Sequence, residues 1–478
     1  MRQATSFTFC LSMLIGCAGG HFGEADDDRV VGGDADADSD GPAGDADADG
    51  DADADADSDG GGGGGGDCPG LAVPEGVVGA TSQVPISGGG DGEFTLSWWV
   101  EIDSFAGDMD AAKVIPIGAD MDGDGDLDLA MNPRKSSTTI VLEGNGNGSF
   151  RIPPHALPTE MFATGWGADV GDVDGDGRLD VVVGDHGTGA HTWTNQGGMS
   201  FATNDAGLPD GTFSGAGFGD VTGDGALDAV FGADQFGDGL RMVVGDGAGS
   251  WSAASPAGLP SPGSGSGVSN VGYFVFGDAD GDDDLDLFAF GYNLKAWIYV
   301  NEGAGESWTL ASQLSQGANS SIGNPVQGSV GDVNGDGLLD VAAGGAIATA
   351  AGGGWAVTTA VDDATVSHFA DMDGDCRLDL VTSSASGLRM YMGDGEGNFE
   401  EAAAGLPGAS DFPLSPADSE ATMVMGAAYG IEIGDFDGTG NLDVVRAYQV
   451  EEQGGAGGGG FGGMTDASQH NVVEVWVR

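Results

Sequence analysis

From about residue 94 to the C-terminus, apolar residues come in short runs closed by Gly, Asn or Asp, and no stretch keeps a helical period. Val181, Val182 and Val183, ended by Gly184, are one such run. The pattern predicts strands. In the stretch around them it predicts four: Gly167 to Val173, Leu179 to Gly184, Ala190 to Asn195 and Ser200 to Thr203. Gly-rich turns such as Gly144 to Gly148, Gly245 to Gly249 and Gly393 to Gly397 mark a hairpin between the third and fourth strands of other groups.

Between the first and second strands lies a nine-residue loop, D-V-D-G-D-G-R-L-D from Asp172 to Asp180. Oxygen donors at positions 1, 3, 5 and 9 and a carbonyl at 7 can surround one hard cation, and glycines at 4 and 6 let the backbone close around it. Calcium suits such a donor set. The spacing begins like an EF-hand loop, but no Glu follows at position 12 and no amphipathic helix flanks it.

The loop recurs seven times, starting at Asp120, Asp172, Asp220, Asp278, Asp332, Asp371 and Asp435, at separations of 52, 48, 58, 54, 39 and 64 residues. That spacing suits one four-stranded sheet per repeat. Position 8 is always Leu and position 9 always Asp. The candidate ligands are Asp120, Asp122, Asp124 and Asp128 with the carbonyl of Asp126, then Asp172, Asp174, Asp176 and Asp180 with the carbonyl of Arg178. Asp220, Thr222, Asp224 and Asp228 follow, then Asp278, Asp280, Asp282 and Asp286, then Asp332, Asn334, Asp336 and Asp340. Asp371, Asp373, Asp375 and Asp379 form the sixth set, and Asp435, Asp437, Thr439 and Asp443 the seventh. Asn334 is an adequate oxygen donor. Thr222 and Thr439 are poorer ones, which predicts weak third and seventh sites. Asp283 and Cys376 stand where the other loops have the second glycine.

Each fourth strand is led by an aromatic residue: Phe150, Phe201, Trp251, Trp308, Trp355 and Phe399. That accounts for six repeats. The chain ends on a third strand, Val472 to Val477, while Gly88 to Leu96 reads like the turn and fourth strand at Gly393 to Glu401. The N-terminal strand is thus expected to complete the last sheet and close a seven-bladed β-propeller, an all-β fold that leaves no open edge there.

From about Phe94 to Arg478 the chain resembles the FG-GAP/VCBS-repeat propellers, including the integrin α-subunit head. Their blades carry D-x-D/N-x-D-G-x-x-D calcium loops between the first and second strands. The resemblance implies up to seven structural calcium ions and ligand recognition on the face opposite the loops.

Residues 1–16 read as a signal peptide ending before Cys17, a lipobox-like site for acylation and export to the bacterial outer membrane or cell surface. Residues 17–67, with alternating Asp and Ala and then a glycine run, read as a disordered tether, and 68–478 as the propeller. In an oxidising compartment Cys68 and Cys376 are left either to pair or to remain free.

A formal net charge of −64, from 77 acidic and 13 basic residues, argues against nucleic acid or anionic lipid as a direct partner. Of the aspartates, 25 occupy positions 1, 3, 5 and 9 of the loops, and seven calcium ions would bring the formal charge to about −50. Catalytic chemistry is thinly represented. Asp185, His186 and His191 share one connection and could be imagined as a base or a zinc site, but plain polar loop residues are the simpler reading. Calcium held by four aspartates and a carbonyl has few open positions and activates water poorly, so a structural ion is expected. The sequence therefore predicts a monomeric, lipid-anchored, calcium-stabilised adhesion module for a glycan or protein ligand. A propeller-type polysaccharide lyase or hydrolase, or a purely structural envelope component, are the alternatives.

Overall fold

The computed structural model describes residues 94–102, 114–132, 139–153, 165, 167–233, 239–261, 263–291, 295–315, 327–361, 364–402, 405–408, 422–453 and 468–478. All belong to one compact unit, Gly60–Arg478. The expected signal peptide and tether, with Cys17 and Cys68, lie outside the described residues.

Among the described residues, twenty-eight strands form seven antiparallel sheets of four. The first blade is Pro116–Ala119, Asp128–Met131, Ile140–Gly144 and Phe150–Arg151, paired in chain order, and the next five blades repeat that order. The seventh is composite. Thr422–Gly434, Asp443–Gln453 and Ser468–Val477 are followed outward by Thr95–Ile102, with Trp99 opposite Glu474 and Val100 opposite Val473. The predicted closure by the N-terminal strand is therefore present, and the aromatics at 150, 201, 251, 308, 355 and 399 each begin a fourth strand.

First strands line the axis. Each touches the first strands of both neighbouring blades, and the seventh touches the first, so the ring is closed. Buried from all sides, they are mostly apolar or small, as in Pro116–Ala119 and Val271–Gly277. Fourth strands face outward: Trp251 is buried, while Ser252 and Ala253 beside it are exposed. Apolar side chains fill the layer between successive blades, for example Ile117, Ala130 and Val141 of blade 1 against Val170, Val181 and Trp193 of blade 2. Phe274, Phe276, Trp297 and Trp308 make the layer between blades 3 and 4 rich in rings. At the axis the backbones nearly meet, and a Cβ on Gly167 or Gly215 would lie 1.7 or 2.3 Å from the carbonyl oxygen of Gly272.

Two acids inside first strands staple neighbouring blades together. Asp169 of blade 2 accepts the N–H of Val170 (2.9 Å) through Oδ1 and that of Phe218 in blade 3 (2.8 Å) through Oδ2. Glu432 of blade 7 accepts the N–H groups of Ile433 and of Gly118 in blade 1. Ser329 of blade 5 does the same for Phe369 of blade 6 (3.1 Å). All three sit three residues before the first aspartate of their own loop. They satisfy inward-facing donors that no further strand can reach.

Blade 7 also holds a fully buried ion pair. Arg446 Nη2 donates to Glu474 Oε2 (2.7 Å), to which Trp476 Nε1 also donates (2.8 Å), and the Tyr448 hydroxyl donates to Oε1 (2.5 Å). Such a pair is tolerated where hydrogen bonds offset its desolvation.

Candidate metal centres

Each loop turns back at the end of a first strand and is held by its own carboxylates. In loop 2, Asp172 Oδ1 accepts the N–H groups of Gly175 (2.8 Å) and Asp176 (3.1 Å), and Oδ2 accepts that of Gly177 (2.8 Å). Those donors converge because positions 4 and 6 adopt positive φ, 73° at Gly175 and 82° at Gly177. Asp283 and Cys376 keep that conformation without being glycine, at 70° and 66°. Position 5 is fixed next: its Oδ1 accepts the N–H of position 7, as in Asp176 with Arg178 (3.0 Å).

Position 9 has a second task that the motif does not announce. Asp180 is fully buried; its Oδ2 accepts the N–H of Val173 (3.0 Å) and its Oδ1 that of Asn195 (2.6 Å), at the end of the third strand. The other six ninth-position aspartates repeat both bonds, with Gly144, Gly245, Asn301, Ala350, Gly393 and Arg478 as the third-strand donors. Position 9 thus ties the loop to its own blade.

Position 2 ties it to the next. Met121, Val173, Val221, Ala279, Val333, Met372 and Phe436 are all buried. In six loops the position 2 carbonyl accepts a donor from the following blade. Asn195 Nδ2 donates to Met121 (2.7 Å), Asn301 Nδ2 to Val221 (2.9 Å) and Arg478 Nη1 to Met372 (2.7 Å). Gly249, Gly397 and Gly148 donate backbone N–H groups to Val173, Val333 and Phe436. Anything that stiffens a loop therefore also stiffens a blade interface.

The remaining oxygens crowd together. Three carboxylates offer oxygens within 4.8 Å of one another at Asp120, Asp122 and Asp128, at Asp172, Asp174 and Asp180, at Asp278, Asp280 and Asp282, at Asp371, Asp373 and Asp379, and at Asp435, Asp437 and Asp443. Among the described residues, loops 3 and 5 form no such group of acids, because position 3 is Thr222 or Asn334. Thr222 turns its hydroxyl to Asp220 (3.5 Å). The expectation of a weak seventh loop rested on Thr439 at position 5, yet loop 7 keeps the same 1, 3 and 9 group as loops 1, 2 and 6.

Burial raises the pKa of Asp122, Asp174, Asp280 and Asp373 at position 3, and the neighbouring position 5 carboxylate adds to the rise. Position 9 is pushed up to about 7 at Asp128, Asp180, Asp286, Asp340, Asp379 and Asp443, and to about 6 at Asp228, because desolvation outweighs the backbone donors. Asp174 Oδ1 is buried and receives no donor. An all-oxygen pocket with more acceptors than donors fits a hard divalent cation.

The trio Asp185, His186 and His191 does not assemble. Asp185 is buried and accepts the N–H groups of its own turn, including that of Thr188 (2.9 Å), while His186 Nε2 lies 3.5 Å from Ser214 Oγ. His191 instead joins two residues that no motif marks. Its Nδ1 is 2.9 Å from Asp205 Oδ2 and its Nε2 2.8 Å from the hydroxyl of Thr188 on an exposed turn. Cys376 is disulfide-bonded, and its partner, among Cys10, Cys17 and Cys68, lies outside the described residues.

Residues 120–183, 172–231, 278–343 and 371–446, together just over half of the chain, match the FG-GAP-like repeat. No curated protein sequence matches. Among solved structures, similarity is found to an Agrocybe aegerita lectin with specific recognition of non-reducing terminal N-acetylglucosamine, at 19% identity over 62% of this chain and 80% of the other, with a TM-score of 0.44. BBS1N in complex with ARL6DN is similar at 10% identity over 80% and 96%, with a TM-score of 0.43. The V. cholerae biofilm matrix protein Bap1 is similar at 10% over 85% and 69%, with a TM-score of 0.28. Likenesses this distant carry no argument about function.

Proposed function

The chain belongs to the FG-GAP-like repeat family, and from that premise we propose that it is a calcium-stabilised recognition module. The observation that carries the reading is the gathering of three carboxylates within 4.8 Å in each of five loops. In each of these loops the first aspartate is already held by backbone donors, so little chain entropy is left to lose on binding a cation. A calcium ion would supply the charge that the crowded oxygens lack and would fasten each loop to two blades at once. Ions buried in this way serve the scaffold.

Recognition then falls to the opposite face, where the connections between second and third strands and between successive blades lie. Cys17 carries the lipid that holds the module at the bacterial outer membrane on this reading. The test is an array of glycans and surface polysaccharides probed with the full chain in calcium and in chelator. Saturable binding without turnover, lost in chelator, is expected; no binding to any glycan would overturn a glycan ligand.

A hydrolase is the second reading, favoured by one observation, the hydroxyl, imidazole and carboxylate chain of Thr188, His191 and Asp205. Turnover on the same panel that Thr188→Ala abolishes would establish it in place of the first.

A further inference from the structure

Loops 1, 2, 4 and 6 have the same aspartates at positions 1, 3, 5 and 9, but position 7 is Asp126, Arg178, Asp284 and Arg377 in turn. Loops 1 and 2 differ only there and at apolar position 2. In all four, the position 7 N–H donates to Oδ1 of position 5, at 2.9, 3.0, 3.1 and 3.0 Å, which brings the position 7 side chain beside the other carboxylate oxygen.

In loop 2 a guanidinium takes that oxygen: Arg178 Nη2 bonds Asp176 Oδ2, and Nε donates to the carbonyl of Asn195 (2.7 Å). In loop 6, Arg377 Nη2 lies 3.4 Å from Asp375 Oδ2. Both arginine stems cross the hairpin between third and fourth strands. Arg178 Cδ is 4.0 Å from where a Cβ on Gly197 would be, and Arg377 Cδ 3.1 Å from one on Gly395. Both glycines have positive φ, 91° and 73°, so the hairpin offers a flat seat with no side chain in the way. The arginines are seated against the fold, and the stem packing adds to the charge contact. Loop 1 carries five aspartates and no base, a formal −5 over nine residues, against four aspartates and one arginine, −3, in loop 2.

We propose that position 7 sorts these four cation loops into two affinity tiers. Arg178 and Arg377 are internal counter-ions that compete with an incoming divalent cation for the position 5 carboxylate, whereas Asp126 and Asp284 add to its attraction. The inference rests on the cation-binding reading above. It gives the propeller graded occupancy: blades 1 and 4 fill first as calcium rises, and blades 2 and 6, already partly neutralised, fill later.

Hydrogen exchange of the full chain, read by mass spectrometry across a calcium titration, reports each loop separately through the amides of positions 4 to 6. Loops 1 and 4 are expected to gain protection at lower calcium than loops 2 and 6. Arg178→Gln should lower the loop 2 midpoint roughly tenfold, the order given by Coulomb's law for a unit charge about 6 Å from a divalent ion in water before screening. Asp126→Arg changes two unit charges and should raise the loop 1 midpoint about a hundredfold on the same count, and high salt should narrow both gaps. In each variant the unaltered loops report whether the ring is folded. If loops 1 and 4 respond to calcium but Arg178→Gln leaves the loop 2 midpoint in place, the tier proposal is overturned. If no loop responds, the cation reading itself falls.

Discussion

At the axis, Asp169 and Glu432 are buried, and each carboxylate bridges backbone N–H groups of two adjoining blades. At the loops, carboxylates that range from buried to exposed stand three together within 4.8 Å, and the backbone donors there are already shared among positions 1, 5 and 9. The same functional group is thus structural glue in one place and an incomplete coordination shell in the other. The difference lies in crowding: burial favours the protonated form of an axial acid such as Glu432, whose Oε2 meets no donor, whereas three carboxylates gathered in one loop leave a cation as a further way to offset desolvation and repulsion.

The comparison breaks most visibly at Glu432. Glu432→Ala leaves the N–H groups of Gly118 and Ile433 without an acceptor and opens a cavity, so a loss on the order of 3 kcal/mol is expected, equal in calcium and in chelator. Glu432→Gln keeps an acceptor and should cost less, since burial already holds this carboxyl well above the ordinary carboxylate range. Urea unfolding of both variants measures this. A cost that changed with calcium would put Glu432 with the loops.

The second effect is the pH dependence of the metal-free protein. The ninth-position carboxylates have folded pKa values of about 7, or about 6 at Asp228, against 3.8 ordinarily. Between those values the folded chain holds more protons than the unfolded one. Their contribution is therefore fully present below about pH 4 and is lost as pH rises through 7. Bound calcium favours the ionised forms and removes that loss, so the calcium-dependent gain in melting temperature should widen from about pH 5 to about pH 7.5. A gain that stayed constant over that range would separate position 9 from the cation.

Smallest is the contrast within the loops. In saturating calcium, Asp176→Ala should cost about 1 kcal/mol and Thr222→Ala within about 0.5 kcal/mol, because only the first removes a charge from a four-aspartate set. Equal costs would mean that position 5 does not take part.

Repetition made the loops, the leading aromatics and the borrowed N-terminal strand legible in the sequence, since each fills the same place in successive blades. Asp169 and Glu432 were not legible. A single acid inside an apolar strand reads as an interruption, and its partner lies in another blade, 49 residues away for Asp169. The apolar residues at position 2 were in plain view, but the reason for them is packing between blades. Position 9 reads as a ligand alone, because nothing in the nonapeptide marks the third-strand N–H that it holds. The same limit applies to His191, whose partner Asp205 comes from beyond the next strand.

Thermal unfolding of the full chain, before and after dialysis against chelator and with bound metal counted on the same samples, tests the loops most directly. Cations that bind only the folded loops contribute on the order of 1 to 4 kcal/mol each, so removal should release several equivalents of calcium and lower the melting temperature by about 5 to 15 °C, with recovery on adding calcium back. An unchanged melt together with an unchanged metal count would contradict the account.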